Sequence, residues 1–137
     1  MSEEEKNDNE EVIELWHINL DWYQEKKRSF HTLAQRCLCD KCRKKLKVDE
    51  GEVAPGKLIS AIKDCCSQQP EFITSELPVM ESIFRVMLAG GNEPLDITRI
   101  GEGLRRWRGG SPGSTPGEML TRLLHNDRYY GLNLYEG

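Results

Sequence analysis

The sequence predicts a mainly α-helical fold with one short two-stranded sheet. Apolar residues recur at intervals of three and four along several segments, which is the spacing of residues on one face of a helix. Helix-capping residues such as Ser29 and Asp96 stand immediately before two of these segments. Near the C-terminus, residues 128–136 are instead rich in aromatic side chains and alternate in polarity, a pattern typical of a β-strand.

The composition excludes a membrane-spanning protein. Of the 137 residues, 31% are charged and 37% are hydrophobic, which is a small apolar share for a self-sufficient core. No apolar run approaches the roughly 18 residues that a membrane span needs, and the acidic N-terminus is unlike a signal peptide. We therefore expect a cytoplasmic protein, with a disordered acidic tail at residues 1–11.

Residues 12–70 are predicted to form a helical, cysteine-rich unit. Its predicted elements are a helix or short extended segment (12–23), a helix capped by Ser29 (29–38), a loop (47–56) and a helix (56–68). The helix over 29–38 carries Phe30, Leu33, Ala34 and Cys37 on one face. This face delivers Cys37 to the inner side of the unit just before the other cysteines follow.

Three cysteines lie close together in the stretch 36–47. The two residues between Cys39 and Cys42 allow both sulfur atoms to reach one ion at about 2.3 Å. The basic run that follows favours thiolates, the form that a metal binds. We therefore predict a structural zinc site. Its predicted ligands are Cys37, Cys39, Cys42 and Cys66, with Cys65 or His31 as substitutes for the fourth ligand.

Other interpretations of the cysteines are open at this stage. Cys65 and Cys66 lie on an apolar helical pattern and could simply fill the core, and one of the two is expected to pack rather than bind. A disulfide is disfavoured by the odd number of five thiols in a cytoplasmic protein. An iron–sulfur cluster and a thiol-based redox protein are the remaining alternatives.

Residues 71–137 are predicted to form a second unit of three helices. Thr74 or Ser75 caps the first helix, whose first turn contains Pro78 and whose inner face is Met80, Ile83, Phe84, Met87 and Leu88. Asp96 caps the second helix over 97–107, where two interior glycines require close packing against a neighbour.

A glycine-rich turn at 108–114 leads to the third helix of this unit. Thr115 to Glu118 form a capping box with Pro116 at the first helical position. The helix runs to His125, with Met119, Leu120, Leu123 and Leu124 facing inward, and the strand over 128–136 follows. Helix, short strand, helix, turn, helix and strand is the order of a winged helix-turn-helix.

The C-terminal sequence resembles HARE-type winged-helix modules, which occur in the delta subunit of bacterial RNA polymerase and in chromatin-linked proteins. The resemblance covers residues 77–137 and rests on Thr115, Pro116, Leu120, Leu123, Leu124, Asp127, Arg128 and Tyr129. It implies a winged-helix-like unit with a transcription role. The chain departs from the pattern in having one wing strand, so the hairpin is missing or pairs only with residues 94–96. The fold class is thus a helical zinc-knuckle unit followed by a winged-helix-like unit.

The charge distribution is uneven although the formal net charge is −4. Residues 26–47 hold nine Lys or Arg residues against Asp40 alone, a net charge of +8. Such a window is either a solvated face or a phosphate-contact surface. The candidate residues for binding nucleic acid or a partner are Lys41, Arg43, Lys44, Lys45, Arg105, Arg106, Arg122 and Arg128.

No catalytic residues are predicted, because the sequence has no nucleophile–base pair and no glycine-rich phosphate loop after a strand. The leading hypothesis is a small zinc-stabilised, non-catalytic accessory protein that binds DNA or a transcription protein such as RNA polymerase. The second is a protein-interaction module without nucleic-acid binding. No small-molecule substrate is expected.

Overall fold

The computed structural model describes residues 13–109 and 116–136. The predicted tail at 1–11, most of the predicted turn at 108–114 and Thr115 lie outside the described residues. Within them the chain forms β1 (Trp16–Ile18), α1 (Leu20–Glu25), α2 (Phe30–Ala34), α3 (Asp40–Leu46), α4 (Pro55–Asp64), α5 (Val79–Ala89), α6 (Ile97–Arg108), α7 (Gly117–His125) and β2 (Leu132–Leu134). Short 3-10 turns follow α2, α3 and α4, at Gln35–Cys37, Val48–Glu50 and Cys66–Gln68. The prediction of a mainly helical fold with a small sheet is confirmed.

Two predicted helix caps are confirmed and one is wrong. The Ser29 hydroxyl accepts a hydrogen bond from the Thr32 amide at 3.0 Å, and the Asp96 carboxylate accepts one from the Arg99 amide at 2.8 Å. Neither Thr74 nor Ser75 caps α5, because Pro78 itself occupies the cap position. Proline lacks an amide hydrogen and has a fixed φ, and both properties suit a residue at a helix start.

The first apolar segment contains both a strand and a helix. β1 begins at Trp16, and the Asn19 side chain then caps α1 by accepting a hydrogen bond from the Asp21 amide at 3.1 Å. Asn19 therefore ends the strand and starts the helix.

The sheet joins the two predicted units. β1 pairs with β2 in antiparallel register, with Trp16 opposite Leu134 and Ile18 opposite Leu132. Of the two alternatives for the wing, a missing hairpin or pairing of the C-terminal strand only with residues 94–96, the second is wrong, because Leu95 pairs with Trp16 on the other side of β1. The N-terminal unit thus inserts β1 between two segments of the C-terminal unit.

The two units also share one hydrophobic core. α4 packs against α5, and the Phe84 ring on α5 lies 6.2 Å from the Phe30 ring on α2 and 5.2 Å from the Tyr130 ring. Buried residues from both sides of residue 70 form a single cluster. Met119 was expected in this core but is 36% exposed, because it lies on the outer face of α7.

The close packing predicted for the second helix of the C-terminal unit is present between α5 and α6. A Cβ atom at Gly103 would lie 3.0 Å from the Val86 side chain, so only glycine allows this approach without displacement. The Arg108 guanidinium at the end of α6 donates to the Leu77 carbonyl and the Ser82 hydroxyl, which fixes the segment before α5. Among the described helices, none is long and apolar enough to cross a membrane.

Replacing Gly131 is expected to destabilise the fold strongly. Gly131 has a φ of +68°, and an added Cβ atom would lie 2.8 Å from the Tyr23 ring and 3.0 Å from the Trp22 ring. We expect Gly131→Ala to lower the free energy of unfolding by about 2–4 kcal/mol, from backbone strain and overpacking together. Urea denaturation followed by circular dichroism measures this change.

Gly56→Ala is the matched control for that substitution. Gly56 lies in the first turn of α4, and an added Cβ atom would meet nothing within 4 Å. Its expected effect is neutral, or stabilising by up to about 1 kcal/mol because alanine favours helices. Equal stability of the two variants would contradict the tight packing at Gly131.

Candidate metal centre and basic surfaces

The start of α3 and the end of α4 bring four thiols together. Cys39 occupies the N-cap position of α3, and Cys42 lies one turn further on. On the other side, α4 ends at Asp64, and the backbone breaks from helical geometry at Cys65 with φ −132° and ψ −60°. This break turns the chain so that both Cys65 and Cys66 approach Cys39.

The sulfur–sulfur distances from Cys39 to Cys65 and Cys66 are close to those of a tetrahedral metal site. Cys39 Sγ lies 3.8 Å from Cys65 Sγ and 3.6 Å from Cys66 Sγ. The sulfur atoms of Cys39, Cys42 and Cys65 all lie within 4.8 Å of one another. Four sulfur atoms held at about 2.3 Å from a tetrahedral zinc ion are about 3.8 Å apart. Disulfide sulfur atoms are about 2.05 Å apart, and all five cysteines are free thiols.

Hydrogen bonds and burial act in opposite directions on these thiols. A hydrogen bond from the Cys42 backbone amide lowers the pKa of Cys39 to about 7. Burial raises the pKa of Cys42 and of Cys66, and the Cys39 amide donates to Cys66 Sγ at 3.2 Å. A bound ion would replace protons at the buried sulfur atoms, so the metal affinity of the group falls as the pH is lowered. An all-thiolate group selects soft ions, of which Zn²⁺ suits the tetrahedral arrangement.

The structure brings only part of the predicted ligand set together. Cys37 lies outside the sulfur group, because its thiol is buried in the core and donates to the Leu33 carbonyl at 3.8 Å. Burial raises the pKa of Cys37 to about 11, as for a thiol that fills a core. His31 is also separate, and its Nδ1 atom accepts a hydrogen bond from the Val53 amide at 3.0 Å.

The two cysteines of the doublet lie on the same side of Cys39. We expected one of Cys65 and Cys66 to bind and the other to pack; both sulfur atoms lie within 3.8 Å of Cys39 Sγ, and Cys66 is also buried in the core. A continuous helix would direct adjacent side chains about 100° apart. The departure from helical geometry at Cys65 changes these directions, and no capping residue in the sequence marks it.

An open groove of about 710 Å³ lies beside the sulfur group. Cys42 and Cys65 line it together with Leu46 and Ala61, and its surface is mainly apolar. The charged residues along it are Lys45, Lys57 and Asp64. The group therefore has a face that is accessible from solvent.

The predicted basic residues of α3 differ in their surroundings. Lys41, Lys44 and Lys45 are exposed. Arg43 is engaged within the protein, because its guanidinium donates to the Gln35 carbonyl at 2.7 Å and lies 3.8 Å from the Asp49 carboxylate. Arg43 thus ties α3 to the 3-10 turn before it, and the three lysines remain on the surface.

The other predicted basic residues lie on the C-terminal helices. Arg106 is exposed near the end of α6 and Arg105 is half-buried there, where cations complement the helix dipole. Arg122 is exposed on α7, and Arg128 is exposed in the turn that follows.

Comparison with protein-family models, with curated proteins and with solved structures finds no match to this chain.

Proposed function

We propose that this protein is a non-catalytic accessory protein that binds DNA through a basic surface held in place by a structural zinc ion. One observation supports the proposal most. The thiols of Cys39, Cys42, Cys65 and Cys66 lie together at the N-terminal end of α3. The same short helix carries three exposed lysines of the basic window, Lys41, Lys44 and Lys45.

The surroundings of these lysines support phosphate binding. Among the described residues, Lys41, Lys44 and Lys45 form no ion pair within 4.0 Å. A seven-residue helix is unstable alone in water, so a bound zinc ion would be what orders this lysine surface. Ordered cations bind phosphates at a lower entropic cost than cations on a mobile segment.

The order of elements in the C-terminal unit supports a role at DNA or the transcription machinery. α5, α6, α7 and β2 follow one another in the order of a winged helix-turn-helix, and in this proposal α7 is the helix that would enter the major groove. Its exposed polar residues include Arg122, with Arg128 just beyond it. RNA polymerase or another transcription protein is the corresponding protein partner in this proposal.

Fluorescence anisotropy of a labelled duplex, with the zinc-loaded full chain, tests the proposal. Binding is expected at low salt and should weaken steeply as salt is added, since phosphate contacts release counterions. Lys41→Ala and Lys44→Ala should each weaken binding to all duplex sequences and reduce the salt dependence by about one phosphate contact. Lys63→Ala, which removes an exposed lysine from α4, is the matched control and should change binding less. Absence of duplex binding at tens of micromolar protein would contradict DNA binding.

The groove beside Cys42 and Cys65 favours a second candidate function, a protein-interaction module without nucleic-acid binding. Its mainly apolar surface is typical of a groove that receives a partner side chain or helix. In that case Ala61→Arg, which places a charge in the groove, should abolish partner binding while the α3 lysine variants leave it intact. A redox function would instead require a reactive thiol in the zinc-loaded protein.

A further inference from the structure

Besides the lysines of α3, a second surface combines cations with aromatic rings. Its cations include Lys26, Lys27 and Arg28, which begin the basic window of residues 26–47. The Arg28 guanidinium lies 5.7 Å from the centroid of the Trp22 ring and 5.7 Å from that of Tyr129. Tyr129 is 46% exposed, and Trp22 is half-buried. We call the set Trp22, Lys26, Lys27, Arg28, Arg128 and Tyr129 the Arg28 surface.

The turn between α1 and α2 fixes three of its cations. Lys27 adopts a left-handed conformation with φ +56°, which is uncommon for a residue with a side chain. The amides of Lys26 and Arg28 donate to the carbonyls of Trp22 and Tyr23 at 2.9 and 2.8 Å. Lys26, Lys27 and Arg28 are all exposed, so this ordered turn presents three cations to solvent.

Hydrogen bonds from Asp127 and Tyr23 hold the segment that carries Tyr129 in one conformation. The Asp127 carboxylate accepts hydrogen bonds from the amides of Tyr129, Tyr130 and Leu132 at 2.9–3.2 Å. The Tyr23 hydroxyl donates to the Tyr130 carbonyl at 2.6 Å. The aromatic surface is therefore preorganised, and binding would cost little conformational entropy.

The two outer rings terminate a chain of aromatic contacts that begins in the core. Phe84 contacts Tyr130, whose ring meets Tyr129 edge-on at 4.8 Å. On the other side Tyr23 meets Trp22 edge-on at 5.0 Å. Tyr130 and Tyr23 thus support the outer rings from within, and Tyr129 keeps an accessible ring at the surface.

We infer that the Arg28 surface binds single-stranded nucleic acid, with a base stacked on Tyr129 and Arg28 and with phosphates at Lys26, Lys27 and Arg128. Unpaired bases have free faces that stack on aromatic rings and guanidinium planes, and exposed cations follow the backbone. In a duplex these faces are covered by neighbouring bases, so the rings would gain nothing from double-stranded DNA. An acidic peptide would use the cations but leave the ring of Tyr129 unused. The inference rests on the proposed nucleic-acid function and names the form of nucleic acid that this surface takes.

Two anisotropy titrations with the zinc-loaded full chain test the inference, one with labelled oligothymidylate and one with a duplex of equal length. Tyr129→Ala should weaken single-strand binding about tenfold, the loss expected for one stacked base, and leave duplex binding unchanged. Tyr129→Phe keeps the ring and should bind as the wild type. Arg28→Lys keeps the charge without the planar group and should weaken single-strand binding to an intermediate extent.

A charge variant distinguishes base stacking on Tyr129 from electrostatic attraction between the cations and the phosphates. Glu25 is an exposed acid next to Lys26, and Glu25→Gln should strengthen binding of both probes by removing repulsion of phosphates. Wild-type affinity of Tyr129→Ala for oligothymidylate would overturn the inference even if duplex binding persists. Absence of binding to both probes would instead overturn the proposed function, and capture of an acidic peptide that survives Tyr129→Ala would assign the surface to protein ligands.

Discussion

Removal of the proposed zinc ion is expected to unfold the protein as a whole rather than loosen one loop. Structural zinc sites contribute apparent binding free energies of about 10–16 kcal/mol, whereas a typical domain has about 5–15 kcal/mol of stability. The four thiols connect α3 to α4, and α4 packs against α5 in the shared core. Chelation, or Cys42→Ser, should therefore abolish the cooperative thermal transition seen by circular dichroism.

Elemental mass spectrometry measures the zinc content per chain, and thiol titration measures how many cysteines are free to react; together they test whether zinc is bound at the four thiols. We expect one zinc per chain and no thiol reactive towards a labelling reagent before chelation, because the proposed ion would hold four thiols and Cys37 is buried with a raised pKa. All five thiols should react after chelation. Cys37→Ala is the matched control and should keep one zinc per chain. Loss of zinc in Cys37→Ala, with retention in Cys42→Ser, would contradict the ligand set of Cys39, Cys42, Cys65 and Cys66.

Phe84→Ala is expected to lower the free energy of unfolding by about 3–5 kcal/mol, as other truncations of buried aromatic residues do. The Phe84 ring is 1% exposed and lies between Phe30 of the N-terminal unit and Tyr130 of the C-terminal unit. Because both units contact this ring, the loss should appear as one transition shifted to lower temperature. Calorimetry with the zinc-loaded protein measures the shift.

Two comparisons sharpen the test of the shared core. Met119→Ala removes a side chain of the outer α7 face and should change stability by no more than about 0.5 kcal/mol. Phe84→Leu should cost less than Phe84→Ala, since it leaves a smaller cavity. Two separate transitions in the Phe84→Ala protein, one unchanged and one shifted, would show that the two units unfold independently.

Local sequence patterns predicted the helices well because the forces that form them act over a few residues. Ser29 and Asp96 bond to amides only three residues away, so their role is visible in the sequence. The helical spacing of Ile83, Phe84 and Met87 likewise identified the buried face of α5.

The features that the sequence did not predict depend on contacts between distant segments. The pairing of β1 with β2 joins Trp16 to Leu134, and nothing near either residue specifies its partner. The sulfur group likewise depends on how α4 meets α3. Spacing identified Cys39 and Cys42 as neighbours, but the separation of Cys37 from them and the approach of both Cys65 and Cys66 to Cys39 follow from tertiary packing.

Because β1 lies between Leu95 and β2, its pairing must wait until both of these segments have been synthesised. β1 is synthesised before its partner β2, and most of the described chain separates the two strands. Closing so long a loop is entropically costly, so strand pairing should follow formation of the local helices. Until then Trp16 and the unpaired edge of β1 are open to other nascent chains, and association at this edge competes with folding. Synthesis of β2 therefore ends the interval in which this edge of β1 is open to other chains.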